Sequence, residues 1–142
     1  MTIAAVLKGR EGQVIQVAGD ARVAEAIALL SERRIGALPV LDGDRVIGIF
    51  SERDVIYCMA KEGAAALSKR VSEVMTAPAQ TVEPGQSVLG ALSLMTERRF
   101  RHLPVVDGGR LVGFVSIGDL VKYRIDKIEA EAAMMRDYIQ TA

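Results

Sequence analysis

The chain has no tryptophan, one cysteine, one histidine and an aromatic content of only 4%. A single cysteine, Cys58, cannot close an internal disulfide, and one Cys with one His cannot supply the ligand set of a zinc site. So few aromatics leave little to stack a run of unpaired bases. There is no excess of either charge: Lys and Arg total 18, as do Asp and Glu. A general nucleic-acid or anionic-membrane surface needs a basic excess or stripe, so both partners are excluded at this level. No run approaches the roughly 18 apolar residues of a membrane-spanning helix. The start, Met1-Thr2-Ile3-Ala4-Ala5-Val6-Leu7-Lys8-Gly9-Arg10, carries its charge after a short apolar run, the reverse of a secretory signal. A reduced, cytoplasmic location is the expectation. The lone His102 has no base and orienting acid pattern around it, and Cys58 has no partnered base, so no catalytic constellation is expected.

What the chain does have is an internal duplication. The stretch 17–57 recurs without a gap at 82–122. Glu32-Arg33-Arg34 lies over Glu97-Arg98-Arg99, and Leu38-Pro39-Val40-x-Asp42-Gly43 over Leu103-Pro104-Val105-x-Asp107-Gly108. Gly48 lies over Gly113, Ser51 over Ser116, and Asp54 over Asp119. Two copies of one supersecondary unit, each small for burying its own apolar face, predict halves that share a core about a pseudo-two-fold axis. Any pocket at their junction should then occur twice. The 15.3 kDa of the chain suffices for one such body.

Each copy reads as strand, helix, hairpin, helix. Val23, Ala26, Ile27 and Leu30 share one helical face, as do Val88, Ala91, Leu92 and Met95. Asp-Gly between two apolar runs predicts a hairpin in each copy. Ile15-Gln16-Val17 and Gln80-Thr81-Val82 are the expected first strands. Ser51 and Ser116 start the second helices. Gly48 and Gly113 stand in mid-strand, where glycine is costly unless something approaches the backbone closely. Between the copies, 61–78 reads as a connection with a helical turn or two. After Asp119, the residues Val121, Ile125, Ile128, Ala132, Met135 and Ile139 form a heptad-like stripe that needs a partner surface.

These residues carry a resemblance. The Leu-Pro-Val-x-Asp-Gly hairpins, the following Gly-x-x-Ser-x-x-Asp and Val74-Met75-Thr76 resemble the cystathionine β-synthase (CBS) domain, in the paired arrangement called a Bateman module. The implied fold is α/β (α+β), two β-α-β-β-α motifs packed with pseudo-two-fold symmetry. The divisions are motif 1 at 12–60, a connection at 61–78, motif 2 at 79–123 and an amphipathic helix at 124–142. What the resemblance implies is a non-catalytic sensor. Such modules hold AMP, ADP, ATP, NAD-type dinucleotides or S-adenosylmethionine between their motifs, with the Asp on the ribose, the Ser near the phosphate, and the residues before Leu-Pro-Val supplied by the opposite copy. Carried over, Asp54 and Ser51 share a site with Phe100, Arg101 and His102, while Asp119 and Ser116 share one with Ile35, Gly36 and Ala37. Thr81 is a candidate adenine contact. No catalytic cofactor is implied, and the regulated partner protein is unnamed by the sequence.

Apart from the resemblance, Ser-x-x-Asp is also close to a helix capping box. The two readings are compatible, because a helix N-terminus that offers free N–H groups also suits a phosphate. Glu32-Arg33-Arg34 and Glu97-Arg98-Arg99 read as helix ends. Arg101-His102 stands where the first copy has Gly36-Ala37, and Arg53 where the second has Gly118. The clefts are therefore expected to be unequal, the Asp54 cleft being the more basic. The competing reading is a CBS scaffold with vestigial clefts that acts as a constitutive interaction module. In either case the stripe after Asp119 leads to the expectation of a homodimer.

Overall fold

Short apolar runs joined by Asp-Gly turns close into one hairpin per copy in the computed structural model, which describes residues 1–10 and 14–141. Strands β2 (Ala37–Asp42) and β3 (Arg45–Ser51) pair antiparallel, as do β4 (His102–Asp107) and β5 (Arg110–Ser116). Both ladders slip at the same matched place, between Val40 and Leu41 and between Val105 and Val106. The duplication therefore preserves an irregularity as well as a pattern. Helix α2 (Val23–Arg33) precedes the first hairpin and α3 (Glu52–Glu62) follows it. In the second copy α5 (Val88–Arg98) and the long α6 (Ile117–Thr141) take those places. The expected start of the first motif, residue 12, and the final residue, 142, lie outside the described residues.

The first strands are shorter than the sequence suggests. Strand β1 is only Val17–Ala18, parallel to β2. In the second copy Gln80-Thr81-Val82 reduces to a single bridge between Val82 and Val105. The next rung explains the difference. Gly19 N–H donates to the Leu41 carbonyl at 3.0 Å in the first copy, whereas the matched residue in the second is Pro84, which has no N–H to give.

The apolar interior is two clusters, one per half, rather than one shared core. Val17, Val23, Ala26, Leu30, Leu38, Val40, Phe50 and Cys58 fill the first, and Val82, Val88, Ala91, Met95, Leu103, Val105, Val115 and Leu120 the second. Each is completed by a segment that precedes the other copy. Helix α1 (Ile3–Leu7), at the start of the chain, buries Ile3 and Val6 in the second half. The 3₁₀ helix Gly63–Ser68 and the single turn α4 (Val71–Val74), which lead into the second copy, bury Ala66 and Val71 in the first. Backbone bonds fix this exchange: Ile3 N–H to Gln86 O at 2.9 Å, and Val71 N–H to Ala21 O at 2.8 Å. The physical reason is the sheet's exposed face, which two helices of one copy do not fully cover.

The two mid-strand glycines mark where these exchanged segments cross. A Cβ on Gly48 would stand 2.6 Å from Met75 Sδ and 2.8 Å from the Thr76 carbonyl oxygen. One on Gly113 would stand 2.7 Å from a Leu7 methyl. The close approach expected at both positions is therefore present, and it comes from the chain itself. Strands β3 and β5 touch across the pseudo-two-fold axis, which places the C-terminal end of each hairpin against the other copy.

Candidate functional site

Ser51 ends β3 and caps α3 because its extended backbone, φ −127° and ψ 170°, turns the chain into the helix. Its N–H donates to Asp54 Oδ2 at 2.8 Å and its hydroxyl to the same oxygen at 3.2 Å. Asp54 Oδ1 accepts from the Thr76 hydroxyl at 2.9 Å. Asp54 is the one buried charged residue among the described residues, at 7% exposure, and its three donors offset the cost of burying a carboxylate. In the second copy Ser116 N–H donates to Asp119 Oδ2 at 2.8 Å, and Asp119 N–H returns a bond to Ser116 Oγ at 3.1 Å. Asp119 Oδ1 faces Arg10 at 3.4 Å. Both acids thus complete a capping arrangement, and they differ in their third partner.

A cleft opens beside each. The Asp54 cleft, of about 490 Å³, is lined by Ser51, Arg53 and Asp54 from one copy and by Phe100, Arg101 and His102 from the other. The Asp119 cleft, of about 440 Å³, brings Ser116 and Asp119 together with Ile35, Gly36 and Ala37. Gly36 and His102 line both, so they form a shared wall across the pseudo-axis. His102 lies over Phe114, the ring centroids 5.5 Å apart and the planes 13° from parallel. Thr81 is not among the residues that line these two clefts; its neighbour Gln80 is, together with Thr76 and Pro78. Gln80 sits where the first copy has Ile15, which lines the other cleft.

The lining also includes arginines that sequence reasoning read as helix ends. Arg34 and Arg99 do close α2 and α5, in left-handed backbone at φ 52° and 59°. Arg34 lines the Asp119 cleft, and Arg98 and Arg99 the Asp54 cleft. Non-glycine residues rarely take that conformation, and here it occurs in both copies directly before the residues expected in the clefts. That adjacency to Ile35 and Phe100 is the signal that could have found them. The Asp54 cleft has Arg53, Arg98, Arg99 and Arg101 against Glu52 and Asp54, and the Asp119 cleft has Arg10 and Arg34 against Asp119. The asymmetry therefore has the expected sign. The Arg10 pair is partly exposed, 51% and 28%, so it contributes at most about 1 kcal/mol and yields readily to a competing partner.

Burial pushes the His102 imidazole below its usual value; Asp119 and Glu52 oppose this, and Arg101 adds to it. A histidine whose folded value is depressed is held neutral by the fold. On acidification the unfolded chain takes up its proton first, near pH 6.5, so folded stability contributed above that pH is lost as pH falls through it. Thermal unfolding of the ligand-free protein should therefore show a decline that sets in as pH falls below about 6.5. His102→Gln should flatten that part of the profile, and an identical slope in the variant would remove His102 as its source.

The CBS domain pattern matches residues 11–61 and 71–126. The chain belongs to the CBS-domain family, and its two motifs form the pair that defines a Bateman module. A CBS-domain protein from Burkholderia ambifaria MC40-6 has a solved structure similar to this one, with a TM-score of 0.82 at 44% identity over 89% of this chain and 95% of that one. CBSX3 of Arabidopsis thaliana, a CBS domain-containing protein, is 32% identical over 98% of this chain and 72% of its own length. The structure of CBSX2 in complex with AMP is similar at a TM-score of 0.71 and 28% identity, covering 80% of this chain and 89% of that one. The match to inosine-5′-monophosphate dehydrogenase of Mycobacterium tuberculosis, at 41% identity, spans 72% of this chain but only 19% of that enzyme. The likeness is thus to a part of the dehydrogenase. No helix among the described residues is long and apolar enough to cross a membrane.

Proposed function

We propose that this chain is a non-catalytic adenine-nucleotide sensor of the cytoplasm, taking AMP, ADP, ATP or an NAD-type dinucleotide in its clefts and signalling to a partner protein. The observation that carries the reading is the Asp54 cleft. A capped helix N-terminus and its carboxylate from one copy face Phe100, Arg101 and His102 of the other, in a fold whose relative CBSX2 holds AMP. Helix N–H groups and arginines suit phosphate oxygens, and a carboxylate can accept from both hydroxyls of a ribose diol. A ligand that touches both copies binds best when they are drawn together, so it shifts an existing equilibrium that a partner can read. Two such chains pair as a homodimer through α6. Calorimetric titration with AMP, ATP, NAD and S-adenosylmethionine tests the sensor reading: saturable binding of at least one supports it, and absence of heat with all four overturns it.

The clefts should also differ in their response to salt. Four arginines make the Asp54 cleft the one for a compact, multiply charged phosphate, with affinity that falls steeply as ionic strength screens them. Arg101→Gly recreates the small residue of the opposite copy and should reduce the salt dependence of one site only, read from titrations at about 50 and 500 mM salt, over which the Debye length shortens roughly threefold. An unchanged salt profile would count against the assignment.

The second reading, a constitutive scaffold with vestigial clefts, is favoured at one of them by a specific contact: Arg10 already faces Asp119 Oδ1 at 3.4 Å. Under it neither cleft binds nucleotide saturably, where the sensor reading expects binding.

A further inference from the structure

Helix α6 is 25 residues long, about 37 Å at 1.5 Å per residue. Only its beginning belongs to the body: Leu120 is its buried residue and Tyr123 packs at the edge of the second core. The apolar stripe lies elsewhere on the helix. With Ile125, Ala132 and Ile139 at the a positions of a heptad and Val121, Ile128 and Met135 at d, Leu120 and Tyr123 fall at c and f, the outer face of a coiled coil. The body therefore sits behind the helix and leaves the a/d seam open. Ile125 is 49% exposed and Ile139 68%.

The flanking charges distinguish the possible arrangements of a second copy. Position g carries Arg124 and Glu131, and position e carries Lys122, Glu129 and Arg136. In a parallel, in-register pair each g residue meets the e residue five positions later on the other helix. That sets Arg124 against Glu129 and Glu131 against Arg136, opposite charges in every case and each pair occurring twice by symmetry. An antiparallel pair centred on the same seam opposes e to e and g to g. It sets Glu129 against Glu129, Glu131 against Glu131, and Lys122 against Arg136, all repulsive.

We infer that two copies of this chain join through α6 as a parallel, in-register coiled coil, with both bodies at the same end. The inference rests on the homodimer reading above and adds its orientation. Parallel helices bring a residue next to its own copy, so Met135→Cys and Ile125→Cys should each cross-link to itself under mild oxidation. The native Cys58 is buried, and the parent chain serves as the uncross-linked control. Cross-linking only when the two variants are mixed, with neither variant forming a cross-link by itself, would overturn the parallel orientation while leaving the dimer. A parent that light scattering shows to be monomeric, with no cross-link in any combination, would overturn the dimer reading itself. A dimer with no cross-link in any combination would remove α6 as the contact. As a second measurement, Glu131→Arg should raise the dimer dissociation constant on the order of 10-fold by turning two attractive pairs repulsive. Adding Arg136→Glu should restore it, and failure of that restoration would overturn the pairing.

Discussion

Asp54→Ala should weaken nucleotide binding on the order of 10- to 100-fold in the cleft that Asp54 lines and leave the other cleft at the parent affinity. Hydrogen bonds to an ionised carboxylate contribute about 1.5–3 kcal/mol each, and 1.4 kcal/mol is a factor of ten. Asp119→Ala should give the mirror image. The two variants should part in stability, because the acids are held differently. Asp54 is buried and accepts from Ser51 N–H, the Ser51 hydroxyl and the Thr76 hydroxyl. Its loss leaves donors without an acceptor and removes a cap, for a cost of about 1–3 kcal/mol. Asp119 holds one cap bond and a partly exposed arginine, so its removal should cost about 1 kcal/mol or less. Titration together with thermal denaturation separates the roles. If both variants keep both sites at parent affinity, the acids are helix caps and nothing more.

Much of this molecule was legible in the sequence because the duplication reports on itself. A turn, a strand-helix junction or a mid-strand glycine that occurs twice at the same offset is read with twice the signal. The paired hairpins and the Ser-x-x-Asp junctions come from repeated, locally coded features, whereas the facing of Arg101 and His102 toward Asp54 was implied only by the resemblance to CBS pairs, since the copies differ at that place. What stayed hidden is non-local. Helix α1 is five residues long, too short for a helical period to show, and nothing in Ile3-Ala4-Ala5-Val6-Leu7 reveals that it completes the core of the second half. Arg34 and Arg99 adopt left-handed backbone without the glycine or asparagine that would have announced it. Pro84 shortened a strand by the absence of a single N–H. Thr76 reaches Asp54 across 22 residues of sequence, and only the path of the connecting segment brings them together.

That path depends on Gly48, and Gly48→Ala is expected to lower stability by about 2 kcal/mol or more, at the upper part of the range for forcing a methyl group into a packed interior. For a chain of this size the thermal midpoint should fall by roughly 5 °C or more. The cost arises from what the new carbon would meet. Met75 could swing aside, but the Thr76 carbonyl oxygen is backbone and lies 2.8 Å away. It also accepts from Ile49 N–H at 2.9 Å, while Thr76 N–H donates to Ile49 O at 2.9 Å. Relief requires the connecting segment to lift off β3, which breaks both bonds and withdraws the Thr76 hydroxyl from Asp54. Gly113→Ala is the matched control. The three nearest neighbours of its new methyl would be the two methyls and the Cγ of Leu7, all atoms of one side chain that can shift where backbone cannot, so it should cost about 1 kcal/mol or less. Equal losses in the two variants would show that the strand, and not the crossing backbone, sets the requirement for glycine. A Gly48→Ala protein that loses stability but binds nucleotide at both sites with parent affinity would separate the crossing from the cleft, and Thr76 would then hold Asp54 for folding alone.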